Sequence, residues 1–119
     1  MGKLIPDAII DLMLANAEGT DMHVCSAYPE NFAGIAAVML AEGTMSGSYT
    51  KANGDTSGRK NTVPAQTGLS ITTSGTASHV VISNGTSTIH MITTCDDQVL
   101  TSGGTVDVGA FIHEITDAA

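Results

Sequence analysis

At 119 residues the chain is long enough for one domain with a real core, and an apolar content of 42% excludes disorder throughout. Charge is scarce and one-sided. Four Lys or Arg stand against twelve Asp or Glu, a formal net charge of −8, which argues against nucleic acid as the main partner and against an anionic membrane surface.

The first expected element is a helix over about residues 6–17. Pro6 suits a first turn, Asp7 suits the positive end of the helix dipole, and Gly19 is a stop signal. Ile9, Leu12 and Met13 share one face, while Ile10, Leu14 and Ala17 share another. That is a broad apolar stripe, with Asp7, Asp11 and Glu18 left for solvent. One reading is a helix that covers a sheet. The other is a docking helix for a neighbouring subunit.

Residues 21–26 alternate as a short strand, broken by Ala27-Tyr28-Pro29. Residues 32–42 are rich in Ala, Val, Met and Leu but carry Gly34, so an irregular or partly extended segment is expected. Residues 44–60 form a polar loop around Asn53-Gly54-Asp55. Lys51, Arg59 and Lys60, three of the four basic residues, lie there and are candidate contacts to carboxylates on a partner.

From residue 61 onward the pattern is β. Asn84-Gly85 between two β-rich runs predicts a hairpin, and Ser102-Gly103-Gly104 predicts a second. Residues 110–116 close the fold as a last strand, followed by a frayed tail at Asp117-Ala118-Ala119. About seven short strands with frequent turns imply an antiparallel β-sandwich or jelly roll with one short N-terminal α-helix. The whole chain, 1–119, reads as one such domain, β-rich from about 21 to 116. Aromatics make up only 3%, so Ile, Val, Leu and Met must supply its core, and a core so thin favours self-assembly or a partner.

Catalytic patterns find little support. There is no GxSxG elbow, P-loop or dinucleotide-binding glycine pattern. Ser78 and His79 are strand neighbours, so they are expected on opposite faces and unable to form a dyad. Asp96 and Asp97 beside Cys95 disfavour its thiolate. His23, His79, His90 and His113 sit in different expected strands, and with Cys25 and Cys95 they leave a zinc site open without its usual paired spacing. Free, buried thiols are favoured over a Cys25–Cys95 bridge, in keeping with a reducing cytoplasm and no visible secretory leader. No catalytic residue, metal or cofactor is assigned. A sugar-binding platform has only Tyr28 and Tyr49 to draw on beyond two Phe.

The segments PDAIIDLMLANA, MHVCSAYPENF, NGDTSGRK with the Val63-Pro64-Ala65 that follows, GTASHVVISN and LTSGGTVDVGAFIHEI run along most of the chain. In them it resembles a group of small bacteriophage and prophage virion structural proteins. Val80 follows His79 where those proteins often carry an aromatic. The resemblance implies a capsid decoration (cement) protein, a dimer or trimer seated over joints between major capsid protein subunits. It would be made in the host cytoplasm and carried on the capsid surface of the virion, with no enzymatic activity. Partner contacts would come from Lys51, Arg59 and Lys60 and from Ile9, Leu12 and Met13. The alternatives are a tail, tail-fibre or head–tail adaptor component, or a receptor- or carbohydrate-binding β-sandwich on the virion surface.

Overall fold

A computed structural model describes residues 6–55 and 58–115. The expected fold class is the one observed: mainly β, antiparallel, with one N-terminal helix. The expected fraying of residues 117–119, the end of the last strand at Thr116, and Thr56-Ser57 in the polar loop lie outside the described residues. The expectation is one domain over residues 1–119. By internal contacts the chain forms two compact units drawn from interleaved segments, residues 1–18, 46–65 and 109–119 in one, and 19–45 and 66–108 in the other.

The first unit holds helix α1 (Asp7–Asn16), and strand β1 (Asp21–Cys25) opens the second. Pro6 caps α1 with extended backbone (φ −56°, ψ 144°), as a residue without an N–H can at no cost. The helix ends at Ala17 in ordinary right-handed conformation (φ −86°, ψ −8°), so Gly19 is not its terminator. The reason for Gly19 is space. A β-carbon there would fall 2.4 Å from Ile82 Cγ2 and 2.6 Å from the Ser83 carbonyl oxygen.

The segment expected to be irregular or partly extended begins in short helical turns and ends extended. Asn31 Oδ1 accepts the Gly34 N–H at 2.8 Å, which opens a 3₁₀ turn at Phe32–Gly34 and the short helix α2 (Ile35–Val38). Strand β2 (Met39–Thr44) follows and pairs with β1 from Asp21↔Thr44 to Cys25↔Met39. Its Met, Leu, Ala and Glu are helix formers by propensity, and sheet pairing overrides them.

The polar loop is also a correction. Strands β3 (Thr50–Asn53) and β4 (Arg59–Val63) pair as a hairpin whose turn closes on Gly54 N–H to Gly58 C=O at 2.9 Å. Lys51, Arg59 and Lys60 therefore sit on strands, not on a loop.

Strands β5 (Gln66–Ile71), β6 (Gly75–Ser83), β7 (Ile89–Leu100) and β8 (Thr105–Val108) complete the second unit, and β9 (Phe111–Ile115) the first. The second unit's sheet runs β7-β6-β1-β2-β5-β8, and the first unit's runs β3-β4-β9. The Asn84-Gly85 hairpin is present between β6 and β7. Asn84 Oδ1 accepts the N–H groups of Thr86, Ser87 and Thr88 at 2.9, 2.9 and 3.0 Å, and Gly85 takes φ +78°.

The second expected hairpin is absent. β8 pairs with β5, at the opposite edge of the sheet from β7. The turn between β7 and β8 docks on β5 instead: Gly103 N–H bonds the Ile71 carbonyl at 2.9 Å, and Ile71 N–H bonds that of Gly104 at 3.0 Å. Two adjacent strand signals fix a turn but not a pairing, and a curled sheet brings its two edges to one turn.

Both cores are aliphatic. Ile10, Leu14 and Val63 are fully buried in the first unit, as are Met22, Cys25 and Val81 in the second. β1 is central in its sheet and is covered on both faces, which is why its alternation in sequence carries no polar side.

Candidate functional site

Helix α1 contacts β4 and β9. Its apolar stripe is wider than that contact uses. Ile10 and Leu14 are fully buried, but Ile9, Leu12 and Met13 on the other face remain 48%, 62% and 43% exposed. Singly exposed apolar residues are ordinary, whereas three at i, i+3 and i+4 on one helix face make a patch.

The three basic residues on β3 and β4 are met by carboxylates of the same unit. Arg59 grips Asp11 of α1 with two nitrogens, Nε to Oδ1 at 2.9 Å and Nη2 to Oδ2 at 3.3 Å. Lys51 Nζ lies 2.6 Å from Glu18 Oε2, and Lys60 Nζ lies 2.7 Å from Asp55 Oδ1. Arg59 and Lys51 thus clip the helix and the segment after it onto the sheet. The helical stripe alone leaves Asp11 and Glu18 for solvent, and the cations that meet them lie 48 and 33 residues away in sequence.

Beneath Glu18 the sheet carries a polar row that the sequence reading missed. Lys51 pairs with Asn61 across β3–β4, and Asn61 pairs with His113 across β4–β9. Directly opposed residues of antiparallel strands share a face, so the three stand side by side. Glu18 Oε2, already bonded to Lys51, also accepts Asn61 Nδ2 at 2.9 Å. Asn61 is 2% exposed, and its Oδ1 is buried without a hydrogen-bond partner, as is His113 Nδ1. Leaving such an atom unsatisfied costs about 1–3 kcal/mol.

The second unit holds two Ser–His contacts. His23 Nε2 is 2.8 Å from Ser83 Oγ, and its Nδ1 lies 3.1 Å from Glu42 Oε2 without the alignment of a hydrogen bond. The order Ser, His, Glu is that of a nucleophilic relay. Ser83, however, is fully buried, and its oxygen already accepts the Gly85 N–H at 3.0 Å. The adjoining cleft of about 310 Å³ is lined by His23, Phe32, Ile35, Met39 and Glu42, but not by Ser83. A substrate carbonyl has no approach to the hydroxyl, so this is an internal polar link between β1, β2 and β6.

Ser78 and His79 correct an expectation. Ser78 Oγ and His79 Nδ1 are 2.8 Å apart, because a bulge between Ala77 and His79 breaks the alternation that would have separated them. The hydroxyl's single proton also has the Ser26 carbonyl within reach at 3.0 Å, and when it is given there the imidazole is the donor to the oxygen. That is the wrong direction for activating a nucleophile.

Tyr28, 61% exposed, meets His79 edge-on at a ring separation of 6.1 Å. The cysteines are free, Cys25 buried and Cys95 half-buried. Burial pushes the Cys25 thiol up to about 11, and burial followed by Asp96 and Asp97 raises that of Cys95. Among the described residues no three His, Cys, Asp or Glu side chains are grouped to hold a metal. No helix there is long and apolar enough to cross a membrane. No family model matches the chain, and neither does any curated protein or solved structure.

Proposed function

We propose that the protein is a non-catalytic structural component of a bacteriophage particle, a capsid decoration protein that docks through the outer face of α1. The observation that carries this reading is the patch of Ile9, Leu12 and Met13 on a helix whose inner face is already seated. Burying such a patch removes apolar area from water at about 25 cal/mol per Å², a gain that exists only in an assembly. The sequence resemblance to small virion proteins supplies the partner, the major capsid protein. Bridging two subunits lowers the free energy of the assembled state alone, so the shell is stabilised by mass action.

The basic residues play a different part in this reading from the one first expected of them. Lys51 and Arg59 secure the helix that presents the patch, and the patch makes the contact. Binding of purified protein to purified empty shells tests the proposal. Wild type binds, Leu12→Asp loses binding while remaining folded, and a protein that stays unbound at micromolar concentration sinks the idea. Protein counting on purified particles separates the alternatives. A copy number comparable to that of the major capsid protein supports decoration, and a few copies confined to the tail favour an adaptor.

A further inference from the structure

We propose that Lys51 and Asn61 are the precursors of an intramolecular isopeptide bond, with Glu18 as the proton carrier. The inference stands on the polar row of the first unit and does not depend on the virion reading. Three observations point to it. The amine and the carboxamide share a single carboxylate oxygen, at 2.6 and 2.9 Å. They are opposed in register across β3–β4, so the backbone holds them together without further ordering. The amide is buried, with a carbonyl oxygen that no donor occupies.

A simple ion pair accounts for the first contact only. It does not require a buried Asn on the same carboxylate oxygen, nor a carbonyl left bare at a cost. A group that is to become an oxyanion is better left without a ground-state partner than committed to one. His113, the next residue in the row, has a buried Nδ1 that is likewise without a partner. It is the donor assigned to Oδ1 as negative charge develops there.

The step balances without any co-reactant. Glu18 takes one proton from Lys51 Nζ, and the freed lone pair attacks Asn61 Cγ. The new N–C bond places charge on Oδ1. Glu18 hands its proton to Nδ2 and takes the second from Nζ. The Cγ–Nδ2 bond then breaks, the carbonyl re-forms, and ammonia leaves with the proton that Glu18 releases. One amide replaces another, nothing is oxidised or reduced, and Glu18 ends as it began. Rotation about the terminal torsions of Lys51 must bring Nζ over Cγ at roughly 3–3.5 Å, the reach of a near-attack geometry. The reaction occurs once per chain, so it is self-modification and not turnover.

Intact-mass measurement on the purified full chain, incubated at neutral pH and moderate heat, tests this. The expected result is progressive loss of one ammonia, an acidic shift on isoelectric focusing from the lost lysine charge, and a digest fragment joining the peptides of Lys51 and Asn61. The fragment is decisive, because a succinimide at Asn53-Gly54 or Asn84-Gly85 also loses ammonia without joining two peptides. Lys51→Arg is expected to abolish the fragment, and Glu18→Gln to slow its formation by at least tenfold. His113→Phe is expected to slow it by a smaller factor. Circular dichroism confirms that each variant is folded. A folded wild-type protein that never yields the joined fragment overturns the proposal. Undiminished cross-linking in Glu18→Gln overturns the role of Glu18.

Discussion

Gly19 shows how a single residue can be fixed by the space around it when its backbone angles are unexceptional. A methyl group at that position would press on the Ser83 carbonyl, which belongs to a hydrogen-bonded strand and cannot swing aside as a flexible side chain would. Gly19→Ala is therefore expected to destabilise the protein by about 1–3 kcal/mol. A lower urea midpoint at unchanged slope would check this, and an unaltered midpoint would contradict it. Cys25 is constrained by solvation. Its thiol is raised from 9.0 to about 11 because the buried site disfavours the thiolate. The folded pKa is the higher one, so the associated stability is intact below pH 9.0 and is lost as pH rises through about 11. Cys25→Ala removes that part of the alkaline decline. Urea titrations of wild type and variant at stepped alkaline pH should show the variant's curve flatter across that window. Parallel curves would mean that the thiol does not drive the decline.

At the scale of elements, α1 separates packing from presentation within a single turn. Leu14 is fully buried, and Leu14→Ala is expected to cost about 2–5 kcal/mol. Leu12 is mostly exposed, and Leu12→Ala should stay within about 0.5 kcal/mol of wild type. Thermal or urea unfolding of the two variants checks the contrast, and equal losses would mean that the outer face is packed in solution. This helix was legible in the sequence because its period and its breaks are local, and so were β1, the β6–β7 hairpin and the last strand. What was not legible depended on pairing. β2 is written in helix-forming residues, and β3 and the start of β4 hid in a stretch rich in turn residues. β8 sits beside β5, from which it is separated by the whole of β6 and β7. The candidate sites divide in the same way. The face made by Ile9, Leu12 and Met13 could be read from helical spacing. The row made by Lys51, Asn61 and His113 under Glu18 could not, since its members meet only after β4 is paired on both sides. Nothing around Ser78 signalled the bulge that turns it toward His79.

For the molecule as a whole, the charge pattern makes the docking mode testable. The chain carries a formal net charge of −8, and Lys51, Arg59 and Lys60 are each held by a carboxylate of their own unit. Docking that relied on those cations would first have to break their internal pairs, and it would weaken as salt screens the exposed charges. Docking through Ile9, Leu12 and Met13 breaks none of them. Its free energy comes from apolar area and should change little with salt, while its heat capacity change should be negative. Titration calorimetry against empty shells at low and high ionic strength, each at several temperatures, reads both quantities. The expected outcome is a similar affinity at both salt concentrations and an enthalpy that falls with temperature. Binding should also raise the unfolding temperature of the docked protein. The gain is about 2.7 kcal/mol when free sites stand at a hundred times the dissociation constant, because only the folded chain presents the helix. Affinity that collapses at high salt would transfer the contact from the helix face to the basic strands. The carboxylates of Asp11 and Glu18 would then compete with the partner for Arg59 and Lys51, and removing them by Asp11→Asn and Glu18→Gln would strengthen binding, whereas docking through the helix face is weakened by loss of the pairs that seat α1.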